Sequence, residues 1–168
     1  MRIRTLGIVG TLLCVLLLLV SGCSFFGGQD ARYTHWEPDL SPDGRYLVYE
    51  SDDDGDLELY LRDLETDAVR RITDNEEPDW SPSWSPDGRF VAFASVSDEN
   101  VDIYTVDIDS LEVLRLTSHE GDDINASWGT DGLIYFNSNR TDDWEIYTIQ
   151  PDGSQLQQLT QVEAPNRE

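Results

Sequence analysis

Acidic side chains are the residues of this sequence whose spacing could do chemistry. Asp79 and Asp123 lie 44 residues apart, each stands eight residues before an Asp-Gly pair, and His35 holds the same place before the first such pair. Positions repeated in this way come together when repeats pack around a common axis. We expect these three side chains to surround one opening. The alternative is that the acids cap turns by accepting hydrogen bonds from backbone N–H groups.

A second acidic string has the spacing of metal ligands. Asp52, Asp54 and Asp56 alternate along the chain, and oxygen ligands at alternating positions suit a hard cation such as calcium. A calcium loop also needs a later bidentate acid, which this string does not supply. We therefore interpret it as a solvated hairpin turn, keep calcium as the alternative, and expect no cofactor.

Several classes of enzyme are excluded by the residues that the sequence lacks. All 11 basic residues are arginines, so a phosphate-binding P-loop, a Schiff-base lysine and a Ser-Lys dyad are impossible. No GxSxG or HExxH motif occurs, and the two histidines, His35 and His119, are 84 residues apart. These absences favour a protein that is not an enzyme.

The charge balance indicates the kind of partner. The 168 residues include 34 Asp and Glu, and the formal net charge is -23 at pH 7. Such a chain repels the phosphates of nucleic acids and attracts basic ligands, so we expect a basic protein or peptide partner and no nucleic acid.

The N-terminus has the features of an export signal. Arg2 and Arg4 precede an apolar run of 15 residues, Leu6 to Val20, which is short for a membrane-spanning helix. The string Val20-Ser21-Gly22-Cys23 resembles the lipobox of bacterial lipoproteins. This resemblance implies that residues 1–22 are a signal peptide, that Cys23 becomes the lipid attachment site, and that residues 23–35 form a linker. The alternative is an uncleaved anchor helix.

Internal repetition dominates the rest of the sequence. An Asp-Gly pair recurs every 44 residues, at Asp43, Asp87 and Asp131, and each copy then continues with a tyrosine and a threonine at nearly constant separations. The tyrosines and threonines are Tyr60, Tyr104, Tyr147, Thr73, Thr117 and Thr160. Within each copy, short apolar runs alternate with turn residues, which predicts four β-strands. The sequence therefore predicts an all-β fold of three similar units.

The residue sequence of the repeat is also informative. The segments WSPDGRFVAFAS, DIYTVD and LRLT resemble the TolB-type β-propeller repeat, a relative of the WD-type blade, and the resemblance covers Trp36 to Thr160. It implies three four-stranded propeller-type blades (36–73, 74–117 and 118–160) that form a partial, open β-propeller, preceded by a signal-peptide helix and followed by a tail at 161–168. Related propellers usually close six blades. We therefore expect a homodimer that completes six blades, or assembly with another half-propeller.

The same resemblance implies a function. Members of this family receive partner peptides at one end of the propeller channel, which makes His35, Asp79 and Asp123 candidates for partner binding. We expect a non-enzymatic scaffold of the cell envelope, held outside the cytoplasmic membrane by its lipid anchor at the outer membrane, in the periplasm or on the cell surface. The alternative is an accessory half-propeller of a separately encoded envelope peptidase or other hydrolase.

Overall fold

Three antiparallel sheets of four strands each form the folded part of the chain. The computed structural model describes residues 35–53 and 55–161. Cys23, which we expect to carry the lipid, the expected signal peptide and most of the tail lie outside these residues. None of the described segments forms a helix of the length and apolarity that crossing a bilayer requires.

Each sheet is built from consecutive strands in simple up-and-down order. The first blade contains β1 (His35–Leu40), β2 (Tyr46–Ser51), β3 (Glu58–Asp63) and β4 (Val69–Arg71). The second contains β5 (Asp79–Trp84), β6 (Phe90–Ser97), β7 (Asn100–Asp107) and β8 (Val113–Arg115). The third contains β9 (Asp123–Trp128), β10 (Ile134–Thr141), β11 (Asp143–Ile149) and β12 (Gln157–Gln158). The predicted all-β architecture of three four-stranded blades is confirmed.

Two apolar clusters lie between the blades and hold them face to face. Successive side chains of a strand point to opposite faces. Val91 and Phe93 of β6 are accordingly buried in a cluster with the first blade, whereas Ala92 and Ala94 are buried in a second cluster with the third blade. The middle blade is therefore covered on both faces.

The two end blades each leave one face uncovered. On the third blade, Trp144, Ile146 and Leu159 are 40–48% exposed, although the equivalent positions of the middle blade belong to its inter-blade cluster. On the first blade, Leu40 and Leu64 are about equally exposed, at 50% and 45%. The described residues thus form an open arc. The second copy that we expect to cover these faces stays a prediction.

The Asp-Gly turns differ from the tight hairpin that the dipeptide suggests. A two-residue turn of that kind needs positive φ at both centres. Of the pair, only the glycines have it: φ is 74° at Gly44, 71° at Gly88 and 85° at Gly132. Asp43 instead accepts hydrogen bonds at Oδ1 from Ser41 Oγ (2.6 Å) and Arg45 N (3.0 Å). The aspartates do not adopt the tight-hairpin conformation, because their side chains brace a longer loop.

The third blade builds the same turn from different residues. Gly129 replaces the serine of the other two turns, and Tyr135 OH donates to Asp131 Oδ2 at 2.8 Å. A Cβ added to Gly129 would lie 2.4 Å from Asp131 Oδ1 and 2.8 Å from Tyr135 Cε2. The tyrosine ring thus takes the space that a serine side chain would need.

We predict that Gly129→Ser lowers the free energy of unfolding by about 1–3 kcal/mol, because the new side chain overlaps the aspartate and the tyrosine ring. The middle blade has alanine at the position of Tyr135. Adding Tyr135→Ala to Gly129→Ser is therefore expected to recover most of the lost stability. Urea denaturation of both variants measures the difference. A double variant no more stable than Gly129→Ser would contradict this account of the turn.

Candidate functional site

Acidic residues crowd one end of the arc, where the hairpins β2–β3, β6–β7 and β10–β11 meet the connections β4–β5 and β8–β9. Backbone and side-chain contacts join these loops: Asp79 N donates to Leu57 O at 2.7 Å, and Asn100 Nδ2 donates to His119 O at 2.7 Å. The exposed acids here are Asp52, Asp53, Asp74, Glu76, Glu77, Asp98, Glu99, Glu120, Asp142 and Asp143. We call this region the acidic end.

An open depression of about 660 Å³ lies in the acidic end, between the β6–β7 hairpin and the β8–β9 connection. Its lining consists of Asp98, Glu99, Asn100, Arg115, Ser118, His119 and Glu120. Arg115 donates from NH2 to the buried Asp102 at 2.5 Å, while Asp98 pairs with its other amino group at 3.4 Å. Since Asp98 is 86% exposed, the depression presents acidic groups to solvent.

His119 lines this depression as a turn residue. Its Nδ1 accepts a hydrogen bond from Gly121 N at 2.9 Å. That bond fixes the local loop between the second and third blades. Within the described residues, His119 makes no hydrogen bond with a serine hydroxyl, so this loop does not contain a nucleophile paired with a histidine base.

A carboxylate–threonine unit recurs beneath the acidic end in every blade. In the first blade, Thr73 Oγ1 donates to Glu58 Oε2 at 2.5 Å and accepts from Leu59 N at 2.9 Å. In the second, Thr117 Oγ1 donates to Asp102 at 3.1 Å and accepts from Ile103 N at 3.0 Å. These bonds tie the outer strand to its neighbour.

The third blade repeats the unit with Thr160 and Glu145, whose side chains are hydrogen-bonded, and Ile146 N donates to Thr160 Oγ1 at 2.8 Å. The sequence-based reasoning found the threonines but missed the acids. The signal was present, because an acid stands two residues before the tyrosine in each copy.

Asp123 is one of the predicted site residues, and it is fully buried. Arg140 NH2 donates to both of its carboxylate oxygens, at 3.0 Å and 2.8 Å. The Arg140 side chain is itself only 11% exposed. The third blade therefore neutralises its buried acid from within.

Asp79, the equivalent residue of the middle blade, is also fully buried but has a different environment. Asn75 Nδ2 donates to Asp79 Oδ2 at 2.8 Å, whereas Oδ1 has no hydrogen-bond partner among the described residues. Burial raises the pKa of Asp79 to about 7, and the negative charge of Glu58 adds to this rise.

A second carboxyl group with a raised pKa lies on the first blade. Glu50 is 4% exposed and accepts a hydrogen bond at Oε1 from Ser81 N at 2.7 Å. Burial raises the pKa of Glu50 to about 7 despite that bond, and the nearby Glu37 carboxylate contributes in the same direction. The interface between the first two blades therefore holds acids that take up protons as the pH falls below neutral.

The remaining predicted site residues are placed as follows. His35 opens β1 and pairs with Ser51 in the sheet, but its side chain lies outside what the structure describes. Asp52 and Asp56 lie in the β2–β3 turn, and Asp54 is outside the described residues. No group of three or more His, Cys, Asp or Glu within the described ranges could hold a metal ion.

The structure thus places Asp79 and Asp123 at the acidic end, but both carboxyl groups are buried. In this conformation neither side chain can touch a partner directly, because both are fully buried. Their partner-binding role stays a prediction. The exposed acids around them are the groups that solvent and ligands meet first.

Comparisons with known proteins agree with this architecture. The chain is similar to TolB from Agrobacterium tumefaciens, at 33% identity and a TM-score of 0.70, over 75% of this chain and 46% of that one. It is similar to TolB from Acinetobacter baumannii at 29% identity and a TM-score of 0.69, over 76% of this chain and 32% of that one. The chain therefore spans less than half of each of these proteins.

A puromycin-hydrolyzing peptidase from Mycobacterium tuberculosis shares the fold at 15% identity and a TM-score of 0.63, over 80% of this chain and 22% of that one. No curated protein matches the chain significantly. The sequence model of the TolB beta propeller domain matches residues 29–168, most of the chain. The repeat spacing, the three stacked sheets and this match together show that the chain belongs to the TolB beta propeller domain family.

Proposed function

We propose that this protein is a lipid-anchored, non-enzymatic scaffold of the cell envelope that binds a basic protein or peptide at its acidic end. The observation that carries the proposal is the depression lined by Asp98, Glu99 and Glu120, whose rim is acidic and exposed. Complementary charge steers a basic partner toward such a surface and makes the encounter sensitive to salt. The similarity to TolB proteins supports the location and the scaffold role.

The buried acids have a supporting role in this proposal. Asp79 is hydrogen-bonded to the β4–β5 loop, and Asp123 is paired with Arg140 near the β10–β11 hairpin. Both side chains hold the loops that display the exposed acids. Membrane attachment comes from Cys23, and fractionation of a Cys23→Ala variant tests it: a variant that still partitions with membranes would contradict the anchor.

We predict that the triple variant Asp98→Asn, Glu99→Gln, Glu120→Gln loses most of its cross-linking to a basic envelope protein in native membranes, detected by mass spectrometry. Each removed charge near the contact weakens the salt-dependent attraction. The yield from the unaltered protein is expected to fall as sodium chloride rises from about 50 to 500 mM, since the Debye length shortens from about 14 to 4 Å.

A matched control changes the same number of charges at the opposite end of the blades. Glu65→Gln, Asp109→Asn and Glu112→Gln alter three exposed acids in the β3–β4 and β7–β8 turns. This control should cross-link like the unaltered protein. Equal losses of cross-linking yield in the two triple variants would show that only net charge matters and would contradict the proposed site.

A second function is favoured by the shared fold of the puromycin-hydrolyzing peptidase. In that case the arc is an accessory half-propeller, and the cross-linked partner is a separately encoded hydrolase of the envelope. The same experiment separates the two functions, because the mass spectrum identifies the partner and its catalytic motifs.

A further inference from the structure

Arg140 of the third blade sits in a complete binding site for a guanidinium group. Its NH2 donates to both carboxylate oxygens of Asp123, and its Nε donates to Ser138 Oγ at 2.8 Å. The guanidinium carbon lies 4.7 Å from the ring centre of Tyr147 and 5.8 Å from that of Phe136. A carboxylate, a hydroxyl and an aromatic pair together recognise the planar cation.

The middle blade repeats every wall of this site without the arginine. Asp79 is paired with Ser95 in the sheet, as Asp123 is paired with its own serine. The rings of Phe93 and Tyr104 stack at 5.7 Å and 26°, and those of the third blade stack at 5.9 Å and 26°. The residue two places after the serine, which is the arginine in the third blade, is here Ser97.

One atom of the middle-blade site has unmet bonding capacity. Asp79 is fully buried, and its Oδ1 has no hydrogen-bond partner among the described residues. A buried polar atom without a partner destabilises the folded state, and a ligand that bonds to it removes that penalty. Asp79 Oδ2 accepts a hydrogen bond from the side-chain amide of Asn75, an exposed residue of the β4–β5 loop, and the hydroxyls of Ser95 and Thr73 also lie beside this carboxyl. Asn75 thus connects this buried carboxyl to an exposed loop.

The approach to this site is strongly acidic. The exposed acids Asp74, Glu76 and Glu77 lie in the β4–β5 loop, beside the β2–β3 turn with Asp52 and Asp53. A cation is therefore concentrated at the place where it would have to enter.

We propose that the middle blade binds an arginine side chain of the partner, held between Asp79, Ser95 and the Phe93–Tyr104 pair as the third blade holds its own arginine. This inference rests on the proposed function, since it specifies the chemistry of the basic partner. The aromatic pair favours arginine over lysine, because a planar guanidinium stacks on rings and bonds a carboxylate with two N–H groups. A divalent cation is disfavoured, since no three acidic or histidine ligands converge within the described ranges.

The test uses the full chain in a non-ionic detergent and a pair of capped tripeptides, Gly-Arg-Gly and Gly-Lys-Gly, titrated by calorimetry and NMR in about 150 mM salt. We expect the arginine peptide to bind about fivefold to tenfold more tightly than the lysine peptide, the range of a cation–π contact. Its binding should shift the amide signals of Asp79 and Ser95.

Two variants act on the site in opposite ways. Asp79→Asn keeps the shape but removes the charge, and should abolish the preference for arginine. Ser97→Arg supplies an internal guanidinium at the place of Arg140, so it should block the peptide and raise the urea midpoint. Glu76→Gln, an exposed neighbour, is the control for charge and should keep the preference.

The outcomes separate this inference from the proposed function. Equal, salt-sensitive binding of both peptides, unchanged in Ser97→Arg, would overturn the arginine site and leave an acidic end that attracts cations in general. Absence of any peptide binding would count against both ideas. Calcium binding that Asp79→Asn abolishes, with no preference between the peptides, would assign the site to a metal ion and also overturn the inference.

Discussion

Replacing Arg140 by methionine is expected to lower the free energy of unfolding by about 3–5 kcal/mol. The variant removes the cation that faces both oxygens of the fully buried Asp123 and leaves that carboxylate unpaired in the protein interior. Breaking a buried ion pair from one side costs this much because the remaining charge keeps its desolvation penalty. Urea denaturation followed by tryptophan fluorescence measures the loss.

Two further variants show whether the buried charge is the cause. Adding Asp123→Asn to Arg140→Met should recover roughly half of the loss, since the uncompensated charge disappears. Arg45→Met removes an arginine from a pair with Asp63, where the arginine side chain is 45% exposed, and should cost far less than Arg140→Met because solvent screens an exposed pair. Similar losses for Arg45→Met and Arg140→Met would contradict the assignment.

The stability of this protein is expected to fall as the pH rises from 4 to 8. Asp79 and Glu50 have a pKa of about 7 in the folded state, above the ordinary values of carboxyl groups in the unfolded chain. Between pH 4 and 7 the folded state therefore binds more protons. Their stabilising contribution is complete below pH 4 and is lost as the pH passes 7; it amounts to several kcal/mol in total, reduced by solvent screening around Glu50.

The acids with a lowered pKa act in a different pH range. Asp87 and Asp131 have a lowered pKa, because hydrogen bonds from Ser85 and Tyr135 stabilise their charged forms. Such acids change stability at a pH below 4, outside the window. The double variant Asp79→Asn, Glu50→Gln should flatten the profile of unfolding free energy between pH 4 and 8. The control Glu76→Gln, Glu77→Gln removes two exposed charges and should keep the slope; an unchanged slope in the first double variant would contradict the assignment.

The fold was predictable because its evidence is periodic. Three Asp-Gly pairs 44 residues apart predict similar four-stranded units. Val91, Ala92 and Phe93 are all apolar although successive side chains of a strand point to opposite faces, which predicts a middle sheet covered on both faces. The detailed turn geometry was less accessible. Dipeptide preferences reflect backbone angles, whereas the aspartate side chains of this protein decide the loop by bonding to nearby serine and backbone groups.

The candidate site was predictable in position but not in depth. Repeat counting placed Asp79 and Asp123 at one end of the blades, where the structure also has them. It could not reveal that both carboxyls are buried, because burial depends on loops from neighbouring blades, such as the one that carries Asn75. It also could not pair Asp123 with Arg140, since the middle blade has no arginine at that place to suggest a rule.

The carboxylate–threonine unit has a consequence for how such a chain can change over generations. Both partners of each unit belong to one blade, as Glu58 and Thr73 or Asp102 and Thr117 do, whereas the apolar clusters lie between blades. Duplication or deletion of a whole 44-residue segment would move each of these polar units intact, with its carboxylate still bonded to its threonine. Unequal recombination between the copies then changes only the apolar interfaces between blades. Such interfaces tolerate altered side chains better than a hydrogen bond tolerates altered geometry.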